Sequence, residues 1–225
     1  MKAFKGFEIR EDGSMWCKDF KYEIGKTYKY NGDISLCHSG FHACRKLQQV
    51  WQFYPNNGTN VFYEVECGGK IDESFYGDGK IVCSEIKILD KIDVSAFPKF
   101  HSSLFYMNGF MRISGREGYN YIDENGKLIS KHWFDDGMSM HMGWIAVSKR
   151  KKWNFINKDG RFLLERGVDF AESFYKGLAM LRENNRYNLV DTDGNLKFEE
   201  WQHKIRYRNA SWEVDMDGKW ITIEN

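Results

Sequence analysis

Three asparagines recur at a fixed interval in the second half of the chain: Asn120, Asn154 and Asn188, each 34 residues from the last. Each follows an aromatic residue (Tyr119, Trp153, Tyr187) and precedes an apolar or aromatic one (Tyr121, Phe155, Leu189). Glycines keep the same interval at Gly109, Gly143 and Gly177, and again at Gly126, Gly160 and Gly194. An internal period constrains architecture more than any composition does, because each copy must be one small supersecondary unit that its neighbours help to bury.

The period is shared with helix-pair repeats, so the pattern inside each unit decides. Each holds three short runs rich in aromatic and β-branched types, too short for an amphipathic helix. In the second unit these are Trp144-Ile145-Ala146-Val147, Trp153-Asn154-Phe155-Ile156 and Arg161-Phe162-Leu163, with Asp159-Gly160 before the third. Asn-Gly and Asp-Gly accept the positive φ of tight hairpin turns. The reading is a three-strand antiparallel meander per unit, with units at 109–142, 143–176, 177–210 and a partial one at 211–225. Within each middle strand the Asn faces away from its aromatic neighbours. It either bonds the adjacent turn backbone or lines a ligand groove.

The stretches Tyr119 to Gly126, Trp153 to Gly160 and Tyr187 to Gly194 follow an aromatic-x-aromatic-or-aliphatic-aliphatic-Asp/Asn-x-x-Gly pattern, and Phe134-Asp135 and Val168-Asp169 stand between units. On these residues the region 105–225 resembles the WG-repeat family of small β-rich repeats. Only Gly118-Tyr119 keeps a glycine before the aromatic, so the copy is diverged. The resemblance implies a binding or scaffolding role without shared catalytic residues.

The 225 residues include 17 Phe, 12 Tyr, 8 Trp, 21 Gly and only 2 Pro, which suits short strands and tight turns. Net charge is +1, with 14 basic and 14 acidic side chains in residues 1–100 and 19 and 18 in the rest. No phosphate-facing positive field is visible, so nucleic acid is not the expected partner. The one basic run, Lys149-Arg150-Lys151-Lys152, reads as a solvated hairpin turn. No apolar stretch approaches the roughly 20 residues of a membrane span. The start lacks a signal-peptide core and five cysteines are an odd number, so a cytoplasmic protein with reduced thiols is expected.

Residues 1–98 show no repeat, and the boundary is expected near Phe97-Pro98-Lys99-Phe100. Strands are expected at Ala3–Glu8, Lys26–Tyr30, Val61–Cys67 and Ile81–Leu89, the third ending at Gly68-Gly69. In that strand Val61, Tyr63, Val65 and Cys67 form a dry face and Phe62, Glu64 and Glu66 a wet one. A helix is expected from Ala43 to Phe53, its apolar face made by Leu47, Val50, Trp51 and Tyr54 and its stop by Pro55. The fold class is therefore an α+β domain, mostly antiparallel sheet plus one helix, followed by all-β repeats, predominantly β overall.

Cys37-His38-Ser39-Gly40-Phe41-His42-Ala43-Cys44 puts four soft ligands within eight residues. Zinc sites draw a second pair from a distant segment and no Cys-x-x-Cys occurs, so neither metal nor cofactor is expected. The segment reads instead as a buried turn, with Phe41 in the core, His42 bonded near the helix start and the cysteines as small apolar fillers. Lys5-Gly6-Phe7, Phe20-x-Tyr22-x-x-Gly25-Lys26-Thr27-Tyr28, the Cys37–Cys44 segment and Phe53-Tyr54-Pro55 together resemble an uncharacterised domain of bacteriophage and bacterial genomes, which implies no activity. The Gly-Phe-His strand end, helix and Tyr-x-Val strand are also loosely similar to small bacterial ADP-ribosyltransferases, though Lys5-Gly6 stands where a His-Gly or Arg-Gly would be wanted.

The expected function is a non-enzymatic protein-binding module that contacts another protein through Trp133, Trp144, Trp201, Trp212, Lys149 and Arg150. The bland alternative for each tryptophan is inter-repeat core. The phage and bacterial distribution of the first resemblance adds an inhibitor or counter-defence role as an expectation. Two further readings stand beside it. One is a nucleotide or NAD binder, a degenerate ADP-ribosyltransferase among them, using His42, Tyr63 and Glu66. The other is a single-stranded nucleic-acid binder using Lys149–Lys152 and Lys204-x-Arg206-x-Arg208 beside Trp153 and Tyr207.

Overall fold

The computed structural model describes residues 1–75, 78–107 and 109–223, of which 104–107 by backbone alone. Two compact units are present. The first comprises Met1–Arg116 with Tyr121–Leu128 and the second Glu117–Asn120 with Ile129–Asn225.

The first unit is built on one seven-stranded antiparallel sheet. Its strands are β1 (Lys2–Ile9), β2 (Met15–Cys17), β3 (Phe20–Tyr22), β4 (Thr27–Lys29), β5 (Phe41–Cys44), β6 (Asn60–Glu73) and β7 (Lys80–Lys91), with helix α1 (Leu47–Val50) between β5 and β6. Strand β6 pairs β1 from Lys2↔Glu66 to Glu8↔Asn60 and pairs β7 along its other edge. One sheet face buries Phe7, Tyr22, Phe41, Tyr63, Val65, Ile86 and Ile88.

The expected helix shrinks to four residues. Ala43 and Cys44, assigned to it from periodicity, are instead strand residues paired with Ile81 and Lys80. The ladder bonds of a sheet outweigh the weak helix propensity of so short a segment. Leu47, Val50 and Trp51 are nonetheless buried, as the apolar spacing required, and turns carry the chain on to Pro55. Strand β6 does not stop at Gly68-Gly69 but runs through an irregularity there to Glu73. Phe62 lies on the side expected to be wet, yet it is fully buried, its ring 6.4 Å from that of Trp51. The segment around α1 covers that face.

The remaining strands form four three-stranded antiparallel sheets: β8 (Ser102–Met107), β9 (Phe110–Gly115) and β10 (Gly118–Ile122); β11 (Asp136–Gly137), β12 (Trp144–Lys149) and β13 (Lys152–Asn157); β14 (Phe170–Ala171), β15 (Leu178–Glu183) and β16 (Arg186–Asp191); β17 (Ile205–Arg208), β18 (Ser211–Met216) and β19 (Lys219–Ile223). The meanders are present, with one change of membership. In the second and third sheets the short outer strand precedes the glycine (Gly143, Gly177) rather than following the Asp-Gly turn. The run after that turn makes single bridges only, Ile156↔Phe162 and Val190↔Leu196. The tight two-residue turns are Arg150-Lys151 and Asn184-Asn185, all four at left-handed φ.

Within the second unit successive sheets share cores. Ala146 and Phe155 pack with Ala171, Phe174, Ala179, Leu181 and Val190, while Leu178 and Leu189 pack with Ile205, Trp212 and Val214. A meander that would expose one apolar face alone is thereby covered.

The periodic asparagines are structural. Nδ2 of Asn154 donates to the Leu164 carbonyl at 2.9 Å and its Oδ1 accepts from Leu164 N at 3.0 Å. Asn188 does the same with Phe198, at 2.8 and 3.2 Å, and Asn120 Nδ2 donates to the Ser130 carbonyl at 2.9 Å. Each clips the chain ten residues downstream. A second periodic device follows three residues on. Oδ1 of Asp123, Asn157 and Asp191 each accepts backbone N–H bonds from the residues two and four ahead, shaping the glycine turn.

Candidate functional site

Sheet surfaces in the second unit present two features that a partner could touch. The first is a row of rings. His141 lies 5.7 Å from Tyr175, Tyr175 stacks on Tyr207 at 5.5 Å and 26°, and Tyr207 meets Trp212 edge-on at 5.0 Å. Tyr175 is 45% exposed and Tyr207 40%, with Met142 at 55% beside them. These residues come from the connections that precede β12 and β15 and from β17; the repeat lines up His141 with Tyr175, and Tyr207 joins them from outside the period.

The second feature is a groove of about 210 Å³ at the other end of β12, lined by His132, Phe134, Val147, Lys149, Lys152, Asn154 and Phe162. Phe134 and Val147 are buried and form its floor, whereas Phe162 is 48% exposed. Lys149 reaches Asp135 only at 3.6 Å, and Lys152 pairs with Asp169 at 2.7 Å.

The groove is open at one copy of the repeat and closed at the next. Asn188, the counterpart of Asn154, is 0% exposed, while Asn154 is half-buried. At the closed copy, Arg166 Nη1 donates to Glu183 at 2.9 Å across the slot. Their counterparts 34 residues earlier are His132 and Lys149. Two nitrogen bases cannot form an ion pair, so nothing draws these lips together.

The residues singled out from sequence distribute as follows. Trp212 is 2% exposed, in the core with Leu178 and Leu189, and its Nε1 donates to the Tyr175 carbonyl at 3.3 Å. It is therefore no contact residue. The bland reading holds for it because the second stack needed a large apolar plug. Trp144 and Trp201 are half-buried against the preceding shared core, and Trp144 Nε1 donates to the Thr192 carbonyl at 3.1 Å. Trp133 is also half-buried, next to the groove residues His132 and Phe134. Lys149 and Arg150 are exposed at the groove lip.

Sequence reasoning missed Phe162, His141 and Tyr175, and weighed Tyr207 only beside a nucleic-acid surface. A signal existed for three of them: Phe162 shares its slot with Leu128 and Leu196, and His141 and Tyr175 are themselves 34 apart.

Of the three residues weighed for a nucleotide, two lie on opposite faces of one strand. Tyr63 is buried in the first unit's core, and Glu66, three positions along the same strand, points from the opposite face. His42 is half-buried with Nε2 accepting from Cys37 N at 2.9 Å, not bonded near the helix start. Burial, together with the Lys5 and Lys18 ammonium groups, holds the His42 imidazole below its ordinary pKa. Cys37 is exposed rather than a filler; Phe41 and Cys44 are buried as expected. A cleft of about 400 Å³ in the first unit is lined by Glu8, Phe53, Tyr54 and Asn60 among others and includes none of the three residues. Burial raises the Tyr54 phenol pKa, and its hydroxyl donates to Cys17 Sγ at 3.1 Å.

Of the basic groups weighed for nucleic acid, Lys204 pairs with Asp215 at 3.4 Å. Arg206 pairs with Glu213 at 2.6 Å and lies 3.8 Å over the Trp220 ring. Among the described residues no group of three or more His, Cys, Asp or Glu side chains is placed to hold a metal ion. No described helix is long and apolar enough to cross a membrane.

Comparison with known proteins agrees with the two resemblances read from the residues. A search of curated proteins finds no match to the chain. Residues 1–99 match the family model described as a domain of unknown function (DUF7666), and residues 121–153 and 155–187 match the model described as a WG containing repeat.

Proposed function

We propose that the chain is a non-enzymatic protein-binding module whose second unit carries the contact surface. The observation that supports this most is the ring row His141–Tyr175–Tyr207, continuous across successive repeats, with both tyrosines exposed and His141 half-buried. Tyrosines on a rigid sheet bury large area with few rotors to freeze, the property that makes them binding hot spots. Met142 widens the patch with an adaptable apolar side chain. The match to a repeat model whose copies recur in tandem fits a role in touching rather than reacting.

Photocrosslinking tests the reading. A photoreactive amino acid in place of Arg208, exposed beside Tyr207, is expected to trap one protein at stoichiometric yield in a lysate of the source cells. The same probe in place of Ile24, 63% exposed in the first unit, is expected not to trap it. Tyr175→Ser with Tyr207→Ser should abolish the adduct. Equal labelling from both positions, or none from either, would sink the proposal.

A further inference from the structure

We infer that the groove above Asn154 is a docking site for an extended acidic peptide segment that inserts one bulky apolar side chain. The inference rests on the protein-binding reading and names the chemistry of the partner at a second contact.

Its exposed wall, Phe162, offers apolar surface to a side chain of aromatic or leucine size above the buried floor of Phe134 and Val147. The lip is basic. Among the described residues the side chains of Arg150 and Lys151 have no ion-pair partner, and both stand in the turn between the lining residues Lys149 and Lys152. Uncompensated positive charge around an apolar slot complements carboxylates flanking an apolar anchor.

Backbone conformation points the same way. Arg150 and Lys151 sit at φ 52° and 62°. The equivalent turn one repeat later places Asn184 and Asn185 at φ 52° and 58°, the residue type that tolerates this region. Two cations at left-handed φ strain the turn relative to that choice. The turn beside the groove thus carries two cationic side chains where the next repeat carries two amides.

The next repeat also supplies the closed state for comparison. There the Arg166–Glu183 ion pair spans the slot and the asparagine beneath is sealed. His132 and Lys149 cannot make that bond, which leaves the earlier slot open to a ligand.

The experiment is an amide-shift titration of the full chain with three synthetic peptides: Asp-Asp-Phe-Asp-Asp, Asp-Asp-Ser-Asp-Asp and Lys-Lys-Phe-Lys-Lys. The first is expected to give saturable shifts at Val147, Asn154 and Phe162, weakening at least fivefold between 50 and 500 mM salt; the other two should give none. Arg150→Glu should weaken binding at least fivefold. The double variant His132→Arg, Lys149→Glu, which copies the closed slot into the open one, should abolish it while leaving the thermal midpoint within a few degrees. Silence at these amides, equal response to the lysine peptide, or displacement by oligothymidine would each overturn the inference. A silent groove together with specific crosslinking at position 208 removes this inference alone. A silent groove without that crosslinking removes the protein-binding reading as well.

Discussion

The two units reach the same end, a buried apolar core, by different routes. In the first, strands remote in sequence must meet before anything is covered: Lys2 pairs with Glu66, and Phe41 with Cys83. Each contact there is made once. In the second, every long sheet contact lies within one repeat, and the same two polar clips recur at each copy. A core made of repeated local parts leaves its surface free to vary from copy to copy, because no single surface residue is needed for closure. That freedom separates the open slot at Asn154 from the sealed one at Asn188. It also makes the second unit its own control, since one substitution can be placed at two copies.

The largest predicted difference concerns those two asparagines. Asn188 is fully buried and satisfies Leu189 N, Phe198 N and the Phe198 carbonyl. Asn188→Ala leaves these groups without partners away from water, a loss of about 2–4 kcal/mol. Asn154 makes the same three bonds, to Phe155 N, Leu164 N and the Leu164 carbonyl, but beneath an open groove that water enters. Asn154→Ala should lose only about 1 kcal/mol. Urea denaturation of the two variants measures the gap. Equal losses would show that the groove does not admit solvent and would remove the contrast between the copies.

A smaller difference separates two glycines of one repeat. Gly143 is at φ +85° with open space around the position of a Cβ, so Gly143→Ala carries only the left-handed penalty of about 1 kcal/mol. Gly160 is at φ +75°, and a Cβ there would lie 2.3 Å from the Ile129 carbonyl oxygen. Gly160→Ala must also displace backbone, for a total of about 2–3 kcal/mol. A thermal midpoint lowered by the same amount in both variants would mean that the Ile129 segment yields freely.

This contrast between local and remote contacts also explains what could be read from the chain beforehand. The repeat period, the meanders, the turn glycines and the backbone-binding asparagines follow from residues within one 34-residue unit. Membership of the outer strand did not, because Phe162 and Leu163 carry more β propensity than Asp136-Gly137, which take the place. In the first unit the periodicity of Leu47, Val50 and Trp51 named the buried face correctly but overextended the helix. Only partners about 40 residues away, Ile81 and Lys80, claim Ala43 and Cys44 for the sheet. At the candidate surface, Lys149 and Arg150 were visible as a basic turn. The groove was not, because it depends on a missing ion pair that shows only when His132 and Lys149 are laid over Arg166 and Glu183.

The smallest predicted effect lies in the first unit, where no second copy exists and pH serves as the control. His42 Nε2 accepts the Cys37 N–H, a bond open only to the neutral imidazole. Burial and the nearby Lys5 and Lys18 charges lower its pKa in the folded state below the 6.5 of the free side chain. Below pH 6.5 the unfolded chain therefore takes up the proton first, and stability falls as pH drops from 6.5 through the folded-state pKa. Above pH 6.5 both states are neutral at this residue and the contribution is complete. Stability followed from pH 8 to 5 should decline more steeply for the native chain than for His42→Gln, whose side-chain oxygen can accept from Cys37 without titrating. Because the group is only half-buried, solvent screening keeps the difference small, and parallel profiles would place the acid sensitivity elsewhere in the chain. Titration of the second unit's carboxylates is no substitute explanation for a difference specific to His42. The Asp169 and Glu183 pKa values are lowered by their hydrogen bonds and cationic neighbours, so those groups respond to acid equally in both proteins.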